Sequence, residues 1–464
     1  MSPVLIGIAA YILVQLLIGI AVSRRIKSES DYLLAGRSLK LGLATFTIFA
    51  TWFGAETCIG AAGSIYKEGL SGGAADPFGY GACLLLMGLL FATPLWRRGL
   101  TTFADLFRQR YSPSVERVVV LLIVPGSVMW AAAQIRAFGQ VISASSDLEV
   151  EIAITFAALV VVVYTVYGGL LADAVTDLFQ GIALIVGLVI LFVVVTNSLG
   201  GIAPAAALIT PEQLHLFGGP DASMLAVIER WAIPIGGSVL AQELVARVLA
   251  TQSPQVARRA SLLGGGLYLA VGFIPVFLGL IGARIIPELT EPEQLLAQLA
   301  QQHLSTFLYI AFAGALVSAV LSTVDSALLA AAALTSHNLI VPLLPRLSEA
   351  AKVRVARIGV FVFGAVAYAL ALHAEGVYAL VEQASAFGSA GVFTVAMFAL
   401  FTDVGDARAA LATLLAGLAT WIVGAYLLEW PLPYLTSLAV SLAVYLGCAW
   451  SLPPLRPRAA ARSL

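Results

Sequence analysis

Thirteen long apolar segments run through this chain, and they restrict what it can fold into. Each is about 20 residues or longer, the length that an α-helix needs to cross the hydrocarbon core of a bilayer. Only 11% of the residues are charged and the mean hydropathy is +0.97, far above the range of soluble domains. The sequence therefore predicts an all-α polytopic membrane protein with about 13 transmembrane helices. Numbered span 0 to span 12, the segments are 3–22, 41–66, 78–96, 118–145, 149–167, 174–197, 223–246, 260–284, 305–336, 355–373, 377–402, 406–428 and 433–452.

Lys and Arg are distributed unevenly between the connections that join these spans. All but four of the 25 follow even-numbered spans, and the exceptions are Lys67, Arg136, Arg230 and Arg284. Cytoplasmic loops are enriched in these residues, so we expect the N-terminus outside and the C-terminus in the cytoplasm, with the chain in the inner (plasma) membrane. The tail after 453 is short, and no cytoplasmic domain is expected there.

Span 1 contains the stretch "ATWFGAETCIGAAGS", which combines glycines, threonines and a carboxylate. Gly54, Gly60 and Gly63 lower helical propensity, and threonine hydroxyls compete for backbone hydrogen bonds. We expect the helix to unwind between Trp52 and Glu56, where it lines a cavity. Free carbonyls at such breaks bind ions and solutes in secondary transporters. The alternative is that the glycines only allow close packing of helices.

Span 8 contains the second informative stretch, "SAVLSTVDSALLAAA". Four hydroxyls and one carboxylate lie close together on an otherwise apolar helix, which is the kind of oxygen-rich group that a hard cation such as sodium prefers. The alternative is that each hydroxyl bonds back to its own helix. The residues concerned are Ser318, Ser322, Thr323, Asp325 and Ser326.

Four motifs in order resemble the sodium/solute symporter family over nearly the whole chain. They are "SDYLLAGRSL", "ATWFGAETCIGAAGSIYKEGL", "YGGLLADAVTDLFQG" and "SAVLSTVDSALL". The resemblance implies a LeuT-type fold with a 5+5 inverted repeat in a single transporter domain, 1–464. Its parts would be a leading span and cytoplasmic loop (1–40), the first repeat (41–197), the second repeat (223–402), and two additional spans with a short tail (403–464). A second broken helix is implied in span 6, at "IPIGGSVLAQE".

The resemblance also implies a sodium site between spans 1 and 8, with sodium as the coupled ion. The ligands carried over from the family are the carbonyls of Ala50, Phe53 and Ala319 and the hydroxyls of Ser322 and Thr323. Asp177 and Asp325 are candidates for a second ion site. Asp173, at the turn between spans 4 and 5, is expected to be a helix cap.

A solute site is expected between the breaks of spans 1 and 6. The segments "ATWFG", "ADPFGYG" and "MWAAAQIRAFG" are similar to the choline transporter branch of the family, in which Trp52, Tyr80 and Trp130 would belong to an aromatic cage. Aromatic faces attract organic cations, but Ala241 stands where that branch has a further tryptophan. The alternative is that the tryptophans only fill gaps. The candidate solute residues are Trp52, Glu56, Tyr80, Trp130, Gln134, Gln242 and Glu382.

These observations predict a sodium-coupled symporter that imports a small organic solute, such as an amine, a quaternary ammonium or a zwitterion. The expected partners are the solute, Na⁺ and the bilayer, with no nucleic acid. The sequence does not predict the oligomeric state. No nucleotide-binding or protease motif is visible in the sequence, so we do not expect an enzyme. A proton-coupled symporter of an amino acid, sugar or carboxylate, a nutrient sensor and a channel remain alternatives.

Overall fold

The computed structural model describes residues 3–24, 26–144, 148–219, 222–374 and 376–451, and the regular structure in this part of the chain is helical. The predicted tail, 453–464, lies outside it. Short 3-10 and π-helical turns connect several of the α-helices. In chain order the α-helices are α1 (Pro3–Ser23), α2 (Glu29–Leu34), α3 (Leu41–Trp52), α4 (Ala62–Glu68), α5 (Tyr80–Leu86), α6 (Ala92–Arg97), α7 (Ala104–Arg110), α8 (Pro113–Ala144), α9 (Val150–Ser198), α10 (Ile202–Ala206), α11 (Met224–Ser238), α12 (Gln242–Leu249), α13 (Pro254–Ile285), α14 (Leu295–His303), α15 (Thr306–Ala333), α16 (Glu349–His373), α17 (Val377–Ala386), α18 (Ser389–Phe401), α19 (Ala407–Ile422) and α20 (Pro433–Ser451).

Span 1 is broken where the sequence predicts. The helix α3 ends at Trp52, and the backbone leaves the helical region at Phe53 with φ −87° and ψ 68°. A wide π-helical turn, Glu56–Ala61, then leads into α4. The prediction of an unwound segment between Trp52 and Glu56 is confirmed.

Spans 6 and 10 are broken as well. The helices α11 and α12 are bent by 44° and the helices α17 and α18 by 42°. In span 6 the helix runs past Pro234 and the two glycines to Ser238, so the break lies at 239–241, a few residues later than the glycines suggest. In span 10 the break contains Gly388 with φ 66°, a left-handed conformation that favours glycine.

Spans 4 and 5 are parts of one long helical segment, α9, which bends at Gly169. The backbone there has φ 71° and ψ 165°, values that only glycine adopts without strain. A Cβ atom at this position would also lie 2.7 Å from the ring of Tyr32 on α2. Glycine therefore allows both the bend and the close approach of α2.

The helix α15 lies at the centre of the bundle. It packs against α8, α9, α16, α1, α3 and α12, and from Phe312 to Ala333 every residue except Gly314 is buried. A helix that is apolar all round is expected to be enclosed by other helices. The hydroxyls and the carboxylate of span 8 therefore face protein neighbours and not lipid.

The number of membrane crossings is less definite than the helix bounds. Among the described residues, eight helices are long and apolar enough to cross a membrane, or ten if each bent pair forms one span. Three further apolar stretches are only 10–17 residues long: Ala9–Ser23, Leu41–Trp52 and Val150–Val163. The count of 13 and the repeat boundaries at 41–197 and 223–402 remain predictions.

Two nearby glycines in α13 provide a test of this packing. A Cβ on Gly264 would lie 2.9 Å from Cγ2 of Ile48 and 3.3 Å from the carbonyl oxygen of Thr45, whereas nothing lies within 4 Å of that position on Gly266. We expect Gly264→Ala to lower the midpoint of thermal unfolding in detergent because α3 and α13 must separate. Gly266→Ala should leave it unchanged or raise it, since alanine is about 1 kcal/mol better than glycine in a helix. Equal midpoints for the two variants would contradict this account.

Candidate functional site

The broken backbone of span 1 is held by side chains from two other helices. The Ala55 N–H donates to Oε1 of Gln134 on α8, at 3.0 Å. The Thr323 hydroxyl on α15 donates to the carbonyl oxygen of Thr51, also at 3.0 Å. Backbone groups at membrane depth need such partners because no water is available there. The break is therefore built jointly by spans 1, 3 and 8.

Gly54 lies at the point where these side chains converge. A Cβ atom at this position would be 2.5 Å from Oε2 of Glu56, 2.7 Å from the hydroxyl of Thr323 and 3.0 Å from Oε1 of Gln134. Only glycine leaves room for all three groups. The predicted ion ligand Thr323 and the predicted solute residues Glu56 and Gln134 are consequently neighbours across one glycine.

The predicted sodium ligands lie in the contact between α3 and α15. All five are buried, and Thr323 bonds the carbonyl that lies between Ala50 and Phe53 in sequence. Thr323 also bonds back to the Ala319 carbonyl at 3.1 Å, and Ser322 donates to Oδ1 of Asp177 at 2.6 Å. The hydroxyls of Ser322 and Thr323 therefore bond to groups on other helices and not only to the backbone of α15. Sodium ligation by these residues remains a prediction.

Arg247 is a site residue that the sequence analysis missed, because it was counted with the basic residues that follow span 6. It lies in α12 with 1% of its surface exposed. Its guanidinium is 2.5 Å from Oδ2 of Asp173 and 3.5 Å from Oδ2 of Asp177, and it donates to the hydroxyls of Thr47, at 3.0 Å, and Ser326. These residues form a buried ionic cluster between α3, α9, α12 and α15.

The ionic cluster bears on two predictions, the helix cap at Asp173 and the second ion site at Asp177 and Asp325. Asp173 is not a helix cap, because its carboxylate is buried against Arg247. Asp177 accepts hydrogen bonds from Thr47 and Ser322 and has Arg247 beside it, whereas Asp325 accepts from Thr165 on α9. The two candidate carboxylates therefore have different neighbours. A second ion site formed by both remains a prediction. The guanidinium of Arg247 already lies beside Asp177.

Four of the predicted solute residues form one cluster. The indoles of Trp52 and Trp130 pack edge to face with centroids 4.9 Å apart. The Glu56 carboxylate accepts from Nε1 of Trp130 at 3.0 Å and from Nε2 of Gln134 at 2.7 Å. Trp52 is only 1% exposed. Its contact with Trp130 is therefore a packing contact that holds the Trp130 ring in place.

A cavity at the breaks of spans 6 and 10 has a volume of about 70 Å³, measured as the space open to the centre of a water molecule. It is lined from α5, α8, both parts of span 6 and both parts of span 10. Trp130 and Tyr80 contribute aromatic surface, and the Tyr80 hydroxyl hydrogen-bonds to that of Ser385 at 2.8 Å. The residues that line the cavity include Tyr80, Ser127, Trp130, Ala241, Glu243 and Ser385.

Two predicted solute residues lie elsewhere. Gln242 is buried and accepts from the Phe103 N–H at 2.8 Å, so its side chain braces a connecting segment and is not among the residues that line the cavity. Glu382 lines a smaller neighbouring cavity together with Glu56 and Arg230. Glu243, one residue after Gln242, does line the cavity at the breaks of spans 6 and 10, and the sequence analysis did not select it.

Comparison with known proteins identifies the family. The family model described as "Sodium:solute symporter family" matches residues 32–417. The chain belongs to this family. The high affinity choline transporter 1 of Homo sapiens is 30% identical over 448 residues, covering 90% of this chain and 76% of the relative. The sodium/proline symporter of Staphylococcus aureus is 25% identical over 427 residues, covering 85% and 80%.

Solved structures agree with the fold. A Na⁺-coupled sialic acid symporter in a substrate-bound outward-open state superposes with a TM-score of 0.82 at 16% identity, covering 97% of this chain and 96% of that one. A nucleobase-cation-symport-1 family transporter in a closed conformation gives 0.62 at 17% identity, covering 91% and 95%. The fold is the LeuT type, as predicted.

Family and fold together establish the class of activity. The chain is a multi-pass membrane transporter that couples sodium to the symport of a small solute. The relatives named above are transporters. The predictions of the family, the fold and the coupled ion are confirmed.

Removing one hydroxyl at the contact between α3 and α15 tests the ion site. Thr323→Ala deletes an oxygen that a small hard cation would use, and we expect the sodium concentration for half-maximal uptake to rise several-fold. Ser261→Ala is the matched control, since within the described part of the chain that buried hydroxyl bonds only to the Ala257 carbonyl of its own helix, at 2.9 Å. Unchanged sodium dependence in Thr323→Ala would rule out this ligand.

The ionic cluster predicts a large stability effect at Arg247. Arg247→Gln leaves Asp173 and Asp177 buried without their cation, which costs about 3–5 kcal/mol in comparable buried pairs. We expect a marked fall in the thermal midpoint, partly restored by adding Asp173→Asn. Arg408→Gln, which breaks the exposed pair with Asp406, should cost no more than about 1 kcal/mol. A midpoint for Arg247→Gln close to that of Arg408→Gln would contradict the proposed importance of the cluster.

Proposed function

We propose that this chain imports a small organic cation together with sodium, and that the solute binds in the cavity at the breaks of spans 6 and 10. The observation that carries the proposal is the lining of that cavity. It combines the aromatic rings of Trp130 and Tyr80 with the carboxylate of Glu243, and no Lys or Arg is among its described lining residues. Aromatic faces and a carboxylate both favour a positive solute.

The relatives support a cationic or zwitterionic solute. The human relative is named as a choline transporter, and choline carries a positive quaternary nitrogen. The relative from Staphylococcus aureus is named as a sodium/proline symporter, and proline carries a positive nitrogen beside a carboxylate. The cavity described here has acidic and aromatic lining without a basic group for a solute carboxylate, so we favour the simple cation.

The contacts around Gly54 suggest how the ion and the solute are coupled. Sodium at the contact between α3 and α15 would engage the Thr323 hydroxyl, whose partner is the carbonyl of Thr51. The same unwound segment bonds Gln134 and, through it, Glu56 and Trp130. An ion that orders this segment would therefore also order one wall of the solute cavity. Binding of the ion and binding of the solute would then be linked by a coupling free energy.

The direction of transport follows from the sodium gradient and the membrane potential. Moving one charge across 100 mV is worth about 2.3 kcal/mol, so inward sodium movement can drive accumulation of the solute. With the N-terminus outside and the C-terminus in the cytoplasm, the basic loops lie on the cytoplasmic side. We place the protein in the plasma membrane in this orientation.

Reconstitution in liposomes tests the proposal. We expect an inward sodium gradient, but not a potassium or proton gradient alone, to drive saturable uptake of small organic cations. Trp130→Ala should lower the apparent affinity roughly 2-fold to 30-fold because a ring face is worth about 0.5–2 kcal/mol, and Trp130→Phe should lose less. Trp450→Ala, at an exposed tryptophan of α20, is the control. Uptake driven by protons without sodium, or wild-type affinity in Trp130→Ala, would refute the proposal.

A further inference from the structure

Glu243 is a buried residue that lines the cavity at the breaks of spans 6 and 10, and its carboxylate has no ion pair among the described residues. It is the second residue of α12, it is 2% exposed, and it lines the cavity together with Trp130 and Ser127. The Ser127 hydroxyl hydrogen-bonds to the carboxylate. Its Oε1 atom has no hydrogen-bond partner among the described residues. A buried carboxylate with an open acceptor is costly unless a donor is supplied.

The nearest guanidinium does not supply that donor. Arg247 lies one helical turn after Glu243, but its NH1 group donates to the backbone carbonyl of Glu243 at 3.1 Å and not to the carboxylate. Its NH2 group is committed to Asp173 and Ser326. The side chain of Glu243 is in no ion pair found within the described part of the chain. The described residues therefore supply neither a cation nor a hydrogen-bond donor to Oε1.

Glu56, the predicted solute carboxylate of span 1, is in a different situation. Its two carboxylate oxygens each accept a hydrogen bond, one from Trp130 and one from Gln134. It also lies outside the lining of the cavity that Glu243 lines. Of these two carboxylates, Glu243 is the one that belongs to the lining of the cavity and has an oxygen without a hydrogen-bond partner among the described residues.

We propose that Glu243 is the counter-charge of the solute, and that the solute is a protonated amine with at least one N–H group and not a quaternary ammonium. This rests on the proposed function, which requires only sodium-coupled uptake of an organic cation. An ammonium N–H would supply the donor that Oε1 lacks, in a charge-assisted hydrogen bond. A quaternary nitrogen has no N–H and would leave that atom unpaired.

The lining at Ala241 and the size of the cavity agree with this choice. Binding a quaternary ammonium depends on aromatic faces around it, yet Ala241, two residues before Glu243, lines the cavity with only a methyl group. The cavity of about 70 Å³ compares with roughly 10–15 Å³ for one water on the same measure. It therefore has room for an amine of a few heavy atoms.

A methylation series separates the two solute classes at constant charge. Ethanolamine, N-methylethanolamine, N,N-dimethylethanolamine and choline share one hydroxyl, and each step removes one N–H until choline has none. In liposomes with a sodium gradient, we expect the reconstituted full chain to take up the first three with similar affinity. Choline should bind roughly tenfold to a hundredfold more weakly, the range that one hydrogen bond to a charged group contributes.

Two substitutions at Glu243 complete the test. Glu243→Gln keeps the size and a hydrogen-bonding group for Ser127 but removes the charge, so the three amines should fall to the affinity of choline. Glu243→Asp keeps the charge, and we expect it to retain the preference for N–H even if overall uptake is weaker. Glu151→Gln, at an exposed position of α9, makes the same charge change away from the cavity and should behave as wild type.

The outcomes distinguish this inference from the proposed function. If the wild type takes up choline with sodium at least as well as the amines, the inference is overturned while the proposed function stands. If no organic cation is taken up with sodium, the proposed function fails and the inference with it. If Glu243→Gln does not fold, Glu243→Asp carries the test, and loss of the N–H preference in that folded variant overturns the inference.

Discussion

The unwound segment of span 1 is the constraint on which the rest of the site depends. A helix interrupted at membrane depth exposes backbone groups that the bilayer cannot satisfy. Here Gln134 accepts from the Ala55 N–H and Thr323 donates to the Thr51 carbonyl. The break can therefore exist only while spans 3 and 8 hold these positions. Any movement of either span changes the geometry of the break, and with it both the ion contact and the solute wall.

The buried ionic cluster has the corresponding role where α3, α9, α12 and α15 meet. Arg247 connects α12 to Asp173 and Asp177 on α9, and it reaches Thr47 on α3 and Ser326 on α15. The buried guanidinium has four polar side-chain partners and also donates to the Glu243 carbonyl, which offsets the cost of placing it in a low-dielectric interior. Four helices that are distant in sequence are thereby fixed at one point.

Much of the fold could be predicted because the signals were local in sequence. The unwound segment follows from glycines and threonines around Trp52, and the hydroxyl-rich face of span 8 follows from its polar residues in an apolar run. Helix propensity and hydropathy act over a few neighbouring residues, so one sequence contains enough information for them. The family motifs supplied the arrangement of the spans, which hydropathy alone does not give.

The errors have a different physical origin. Arg247 looks like a loop residue because two more arginines follow it, and only the tertiary structure shows that α12 lies inside the bundle. Gln242 and Glu243 are adjacent, but successive residues of a helix point about 100° apart. One faces Phe103 and the other faces the cavity. Which of two neighbouring polar residues reaches a cavity depends on the rotation of a short helix, which no local pattern fixes.

The position of Arg247 and Glu243 on one half-helix limits how the transporter can open. α12 carries the proposed solute carboxylate and the guanidinium of the ionic cluster one turn apart. Separating Arg247 from its carboxylates would cost about 3–5 kcal/mol, more than the roughly 2.3 kcal/mol that one charge gains across 100 mV. The energetics therefore favour movement of α12 together with the part of α9 that carries Asp173 and Asp177. On that account, alternating access changes the contacts of this unit with span 1 and span 10, while the unit itself stays intact.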